Sequence, residues 1–220
     1  ETLQRYFSPS VAMHRFISIT FSLLVFIGLQ VSVQTAGRRF ERSIERHFVS
    51  LLTVPNGMKW GSWAQREFCP SGTYAAGFSL KVEELSVLSD NTALNAIRLH
   101  CISLFKGSGL DELESFVESN VGSWGQWTKI KWCPSGFLKA FQLRVESSQG
   151  IRDDTAVNNI RFNCTEGSLL LGDGTDKGEW GDWSSSCQGR GMCGIMTRIE
   201  EKLKFGDDTA LNDARMFCCE

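Results

Sequence analysis

The chain reads as an all-β domain of three antiparallel sheets related by pseudo-threefold symmetry. Three observations carry this expectation: an internal repeat, a period-two alternation inside each copy, and a set of cysteines confined to the copies. The first copy runs from Trp60-Gly61-Ser62-Trp63 through Cys69 and Glu83 to Asp90-Asn91-Thr92-Ala93-Leu94-Asn95 and Cys101. The second runs from Trp124-Gly125-Gln126-Trp127 through Cys133 and Glu146 to Asp153-Asp154-Thr155-Ala156-Val157-Asn158 and Cys164. The third runs from Trp180-Gly181-Asp182-Trp183 through Cys187 and Glu200 to Asp207-Asp208-Thr209-Ala210-Leu211-Asn212 and Cys218. In all three, Glu precedes Asp by seven residues and Asp precedes the closing Cys by eleven. Repeats of about 56–101, 120–164 and 176–219 are units that bury their apolar faces only against one another. Three of them can close into a ring.

Residues 1–12 read as a leader upstream of Met13, and residues 13–37 as a secretory signal peptide. Met13-His14-Arg15 opens a cationic stretch, Phe16 to Leu29 is apolar apart from Ser, Thr and Gly, and Thr35-Ala36-Gly37 supplies small residues for cleavage. The apolar run is short for a spanning helix, which wants ~20 residues. The mature chain is expected to be extracellular, with no membrane attachment. Without Arg5, Arg15 and Glu1, the 23 basic and 25 acidic residues become 21 and 24. A net charge near −3 gives no electrostatic reason to expect nucleic acid.

Residues 38–48 are charged and expected to be a mobile mature N-terminus. The spacing of Phe40, Ile44 and Phe48 also permits a short amphipathic helix at its start. A single domain follows over 49–220, beginning with a strand over Phe48–Val54 that ends at Pro55-Asn56-Gly57. Phe78, Leu80 and Val82 alternate with polar neighbours, as do Phe141, Leu143 and Val145, and then Ile195, Thr197 and Ile199. A second strand closes each copy, over Ala96–Cys101, Asn159–Cys164 and Asp213–Cys218, with Ile97, Leu99 and Cys101 on one face and Arg98 on the other. Each sheet is expected to come largely from one copy. Asp111 to Val117 carries a weak helix signal.

All eight cysteines lie in the repeats, which reads as four disulfides in an oxidising compartment. Equivalence pairs Cys69 with Cys101 and Cys133 with Cys164. Cys187 and Cys193 are left for Cys218 and Cys219 in either order, the two bridges straddling one strand. Zinc on these last four is disfavoured by the lack of a tight Cys-x-x-Cys.

These residues closely resemble the vitelline membrane outer layer protein 1 family over Val49–Glu220. Thr53-Val54-Pro55-Asn56-Gly57, the Trp-Gly-x-Trp segments, the Asp-Asp-Thr-Ala-(Leu/Val)-Asn turns and Cys218-Cys219 carry the resemblance. It implies a β-prism of three four-stranded sheets, and a structural and binding role in an extracellular coat among glycoproteins or glycans. It also implies an alternative, weak lysozyme-like transfer or hydrolysis on N-acetylchito-oligosaccharides. Two departures stand out. Copy one has Asn91 where the others have a second Asp, and the Cys187–Cys193 separation exceeds the family's short spacing, which leaves Cys187 against Cys133 open.

Three residue sets are candidates for chemistry. Asp90, Asp153, Asp154, Asp207 and Asp208 read as turn clamps with Arg98, Arg161 and Arg215 as partners, calcium being the weaker reading because no ligand loop is recognisable. Glu83, Glu146 and Glu200 are the candidate acids for glycosidic chemistry, which requires two carboxyls at a defined separation. Their threefold recurrence favours a structural use. Trp60, Trp63, Trp124, Trp127, Trp180 and Trp183 are expected chiefly to pack inside the prism, with one of each pair meeting solvent where it can stack on sugar rings. Histidine-based nucleophilic catalysis has no support in the scattered His14, His47 and His100. No cofactor or metal is expected. Asn163-Cys164-Thr165 is a glycosylation sequon on a strand end.

Overall fold

A computed structural model describes residues 46–83, 93–103, 115–146, 157–200 and 211–220, all within one compact unit, Arg42–Glu220. The leader, the signal segment, most of the mature N-terminus and the five turn aspartates lie outside the described residues. Among the described residues every regular element is a strand. Strand β1 (Ser50–Leu52) precedes the short β2 (Ser62–Trp63) and β3 (Glu67–Phe68) and the long β4 (Thr73–Val82) and β5 (Leu94–Ser103). Between copies one and two lies β6 (Ser115–Glu118), and copy two contributes β7 (Gln126–Trp127), β8 (Lys131–Trp132), β9 (Leu138–Val145) and β10 (Val157–Cys164). Then follow β11 (Leu169–Leu171), β12 (Glu179–Trp180), β13 (Gly191–Ile199) and β14 (Leu211–Cys219).

These strands form a β-prism of three antiparallel sheets, each centred on one long pair: β4–β5, β9–β10 and β13–β14. The alternating side chains point inward as their period requires. Phe78, Leu80, Leu99, Phe141, Leu143, Phe162, Ile195 and Met216 are fully buried. Phe78 of the first sheet meets Phe162 of the second with ring centroids 4.7 Å apart, so the core is shared between sheets. Each long pair carries register shifts near both ends, as at Ala75/Gly77 and Lys81/Val82. Such bulges sharpen the local twist and curl the sheet around a common core. The helix signal before Val117 is not realised where it is described. Ser115–Glu118 is a strand because Val117 turns to the core while Glu118 reaches Arg98 on the outer face.

Each sheet comes largely from one copy, which supplies its long pair, but takes a short edge strand from a neighbouring copy. The strand orders are β6-β5-β4-β7, β11-β10-β9-β12 and β1-β14-β13-β2. Thus the tryptophan strand of copy two completes the first sheet, that of copy three the second, and that of copy one the third. An antiparallel pair alone leaves an open edge, and handing a strand to the neighbour covers it while locking copy to copy. The ring closes through β1, which lies antiparallel to β14 with Leu52 opposite Met216.

Four disulfides cross this framework: Cys69–Cys101, Cys133–Cys164, Cys187–Cys218 and Cys193–Cys219. Cys218 faces the main core, and Cys219 lies with Phe68 and Phe217 in a second cluster. The two bridges of copy three therefore straddle β14.

Candidate functional site

The junctions between copies organise the surface. Gly61, Gly125 and Gly178 all have positive φ, at 74°, 85° and 75°. A Cβ on each would come within 2.4 Å of the carbonyl carbon of Ile199, Val82 or Val145, so only glycine permits the approach. Two residues on, Trp63, Trp127 and Trp180 lie opposite Arg198, Lys81 and Arg144 in the ladder. The next residue then donates its N–H across the ladder, Ala64 to Thr197 O, Thr128 to Leu80 O and Gly181 to Leu143 O. These contacts make Lys177-Gly178-Glu179-Trp180 the counterpart of Trp60-Gly61-Ser62-Trp63. The identical string Trp180-Gly181-Asp182-Trp183 is displaced by three residues from the true register. Cys187, by contrast, does correspond to Cys69 and Cys133, since their N–H groups donate to the equivalent carbonyls of Lys139, Cys193 and Ala76.

None of the six tryptophans is buried, contrary to the packing expected of them. The core is filled by Phe, Leu, Ile and Met, which carry no polar atom needing a partner. Instead the second indole at each junction stacks with an arginine of the preceding copy. Arg98 lies 3.8 Å from the Trp127 ring centroid, Arg161 4.4 Å from Trp180 and Arg215 4.1 Å from Trp63. These are the three arginines that spacing assigns to the turn aspartates. Arg98 also bonds Glu118 at 2.7 Å, and Arg161 donates to Gln142. A cation–π contact of this kind contributes about 0.5–1 kcal/mol at an exposed site and more when desolvated.

The buried Asn95, Asn158 and Asn212 form a threefold feature that the sequence marks only as turn ends. Their carbonyls accept N–H groups from Gly122, Thr175 and Met58, each at the entry to the next copy. The Asn158 side chain also accepts from the Thr175 hydroxyl at 2.6 Å. The Asp-Thr-Ala-x-Asn segment thus ends in a residue that locks one copy to the next.

At the first tryptophan position the copies differ on the surface. Trp60 is 58% exposed and Trp124 47%, while the third copy has Lys177 at that position. Trp183 is also exposed, as is Trp132, the seventh tryptophan, which lies opposite Gly77. Glu83, Glu146 and Glu200 each follow directly on a central strand of a different sheet, with Gly125, Gly178 and Gly61 packed against their backbone nitrogens. Two clefts on the surface adjoin at Ala64 and Gln65, one bearing Glu67 and Glu118 and the other Arg46, His47 and Arg66. Glu83, Glu146 and Glu200 line neither. Among the described residues no cluster of His, Cys, Asp and Glu has the makings of a metal site.

The family described as vitelline membrane outer layer protein I matches residues 50–220. The Homo sapiens vitelline membrane outer layer protein 1 homolog is 48% identical over 174 residues, covering 78% of this chain and 84% of the relative. The Mus musculus homolog is 47% identical over 178 residues, covering 80% and 86%. Among solved structures, the Calsepa lectin in complex with bisected glycan aligns with a TM-score of 0.49 and 10% identity, over 80% of this chain and 100% of the lectin. The second β-prism domain of RbmC from V. cholerae aligns with a TM-score of 0.42 and 11% identity, over 76% and 99%.

Proposed function

The chain belongs to the vitelline membrane outer layer protein I family, and we propose that it is a secreted structural and binding protein of an extracellular coat or mucous layer, associating with glycoproteins or glycans. The observation that carries this is the exposure of Trp60 and Trp124. The junctions use the second tryptophan of each segment, and Lys177 in copy three indicates that the scaffold does not require an indole at the first. Trp60 is 58% exposed and Trp124 47%, so about half of each indole surface stays open to a ligand. A flat indole face suits the apolar face of a pyranose. The four disulfides fit an oxidising compartment and a protein that persists outside the cell.

A neutral-glycan array followed by calorimetry on chitotetraose tests the reading. Trp60→Ala and Trp124→Ala should each weaken binding several-fold, with the double variant losing it and the melting temperature little changed. Undiminished binding by the double variant would overturn it. Turnover of chitotetraose that is abolished by Glu146→Gln or Glu200→Gln, in a folded protein, would favour catalysis instead.

A further inference from the structure

We propose that the outer face of the third sheet holds a second ligand site, selective for saccharides bearing an anionic group and centred on Arg66. The proposal takes its class of ligand from the glycan-binding reading but uses a different surface. Three aromatic rings build the floor. Phe217 on β14 lies 4.9 Å from Phe48 and 5.1 Å from Phe68, centroid to centroid. Phe217 and Phe68 are buried, while Phe48 is half-exposed and closes the cluster from above. Arg66 is exposed, with its guanidinium carbon 5.9 Å from the Phe48 centroid and 5.7 Å from that of Phe217. An open cleft of about 1000 Å³ runs over these groups, edged by His47, Gln65 and Met196.

The two arginines of this cleft have different duties. Arg46 donates to the carbonyls of Cys69, Pro70 and Thr73, at 3.3, 3.2 and 2.7 Å, and lies over the Tyr74 ring. It holds the turn before β4. Arg66 makes no ion pair with any described residue and lies over the rings, so its donors can receive a ligand. A guanidinium binds a carboxylate or a sulfate through two parallel hydrogen bonds. Phe48 and Met196 then meet the apolar face of the sugar ring.

Symmetry argues that this is not scaffold. The residues three beyond the junction tryptophans Trp63, Trp127 and Trp180 are Arg66, Ile130 and Trp183, so the fold does not call for a cation there. Phe217 likewise corresponds to His100 and Asn163, which lie opposite Gly77 and Ala140 as Phe217 lies opposite Gly194. In the first sheet the rings at this place are His100, Phe116 and Trp132, but Ile130 stands where the third sheet carries Arg66; among the described residues only the third sheet sets an arginine at that position.

The test compares chitotetraose, a sulfated chitotetraose and a hyaluronan tetrasaccharide by calorimetry at low and high salt. Carboxylate and sulfate are thus supplied in separate arms. The expected result is that at least one acidic oligosaccharide binds about tenfold more tightly than chitotetraose and weakens with salt. Arg66→Ala should remove that advantage with chitotetraose binding and melting temperature unchanged, and Arg66→Lys should retain only part of it. Trp60→Ala with Trp124→Ala should leave the acidic advantage in place, which separates failure of this site from failure of the neutral one. Equal affinities for all three oligosaccharides, or an acidic advantage that survives Arg66→Ala, would overturn the proposal. So would binding of an oligoglutamate peptide with none of either acidic sugar.

Discussion

The first and third sheets share one strand order and differ in how the chain reaches it. In the first, Leu99 lies opposite Val117, 18 residues away (117 − 99). In the third, Leu52 lies opposite Met216, 164 residues away (216 − 52). For a flexible chain, that difference in separation raises the closure cost by about 2 kcal/mol. The third sheet alone carries a second disulfide, Cys193–Cys219, on the strand that receives β1. Closing a loop of 26 residues contributes roughly 3 kcal/mol in the chain-entropy picture, enough to offset the difference. The bridge ties β13 to β14, the pair onto which β1 docks.

Removing that bridge should have the largest effect. Replacing Cys193 and Cys219 together by Ala is expected to cost about 3 kcal/mol in denaturant unfolding. Amide exchange should quicken on β1 and β14 and stay slow on β4 and β5. The matching loss of Cys69–Cys101, which spans 32 residues, should cost a similar amount without singling out β1. If both variants loosen all three sheets alike, the bridge stabilises the whole fold rather than the closure.

The next effect tests what the two sheets have in common. Gly61→Ala at the third sheet and Gly125→Ala at the first should be equally damaging, because both glycines are left-handed and meet backbone within 2.4 Å. A left-handed alanine costs about 1–2 kcal/mol before the clash, so each variant should lose about 2 kcal/mol or more. Gly178→Ala should match them. Gly181→Ala should cost less, since its Cβ would meet the Asn56 side chain and its φ is not left-handed. A larger loss at Gly181 than at Gly178 would restore the register that the repeated tryptophan string suggests. Thermal melts of the four variants decide it.

That register shows how far the sequence could be read. The central strands were legible because their faces alternate between core and solvent, and the alternation survives even where Thr197 stands in place of Leu80 and Leu143. The junctions were not. Their strands are two residues long, too short to carry a period, and Trp180-Gly181-Asp182-Trp183 copies the motif in the wrong place. The distance to the following cysteine held the clue: six residues from Trp63 and from Trp127, seven from Trp180, but four from Trp183. Size argues for burial of the indoles, whereas an arginine stack holds Trp63, Trp127 and Trp180 on the outer face. Nothing repeats at Arg66, and asymmetry is visible only once the symmetric frame is known.

The smallest difference lies at one position of the outer faces, where the three sheets carry Ala96, Asn159 and Asp213. Asn159 accepts the N–H of Ile160 through its side-chain oxygen at 2.9 Å, and Asp213 accepts that of Ala214 at 2.8 Å. The hydrogen bond is the same and only the charge differs. Burial pushes the Asp213 carboxyl above its usual range, against the opposing pull of the Ala214 N–H, Arg215 and Arg198. A carboxyl raised on folding binds its proton more tightly in the folded state. Its ionisation therefore subtracts stability as pH climbs through the ordinary carboxylate range, and the loss is complete above the raised value. Asp213→Asn should match the wild type well below that range and exceed it at neutral pH, with the Ala214 bond kept. Urea unfolding of both proteins at acidic and neutral pH measures the difference. A variant less stable at neutral pH would mean that attraction to Arg198 and Arg215 outweighs burial, so that the third sheet uses this charge as a brace beside the Arg215–Trp63 stack.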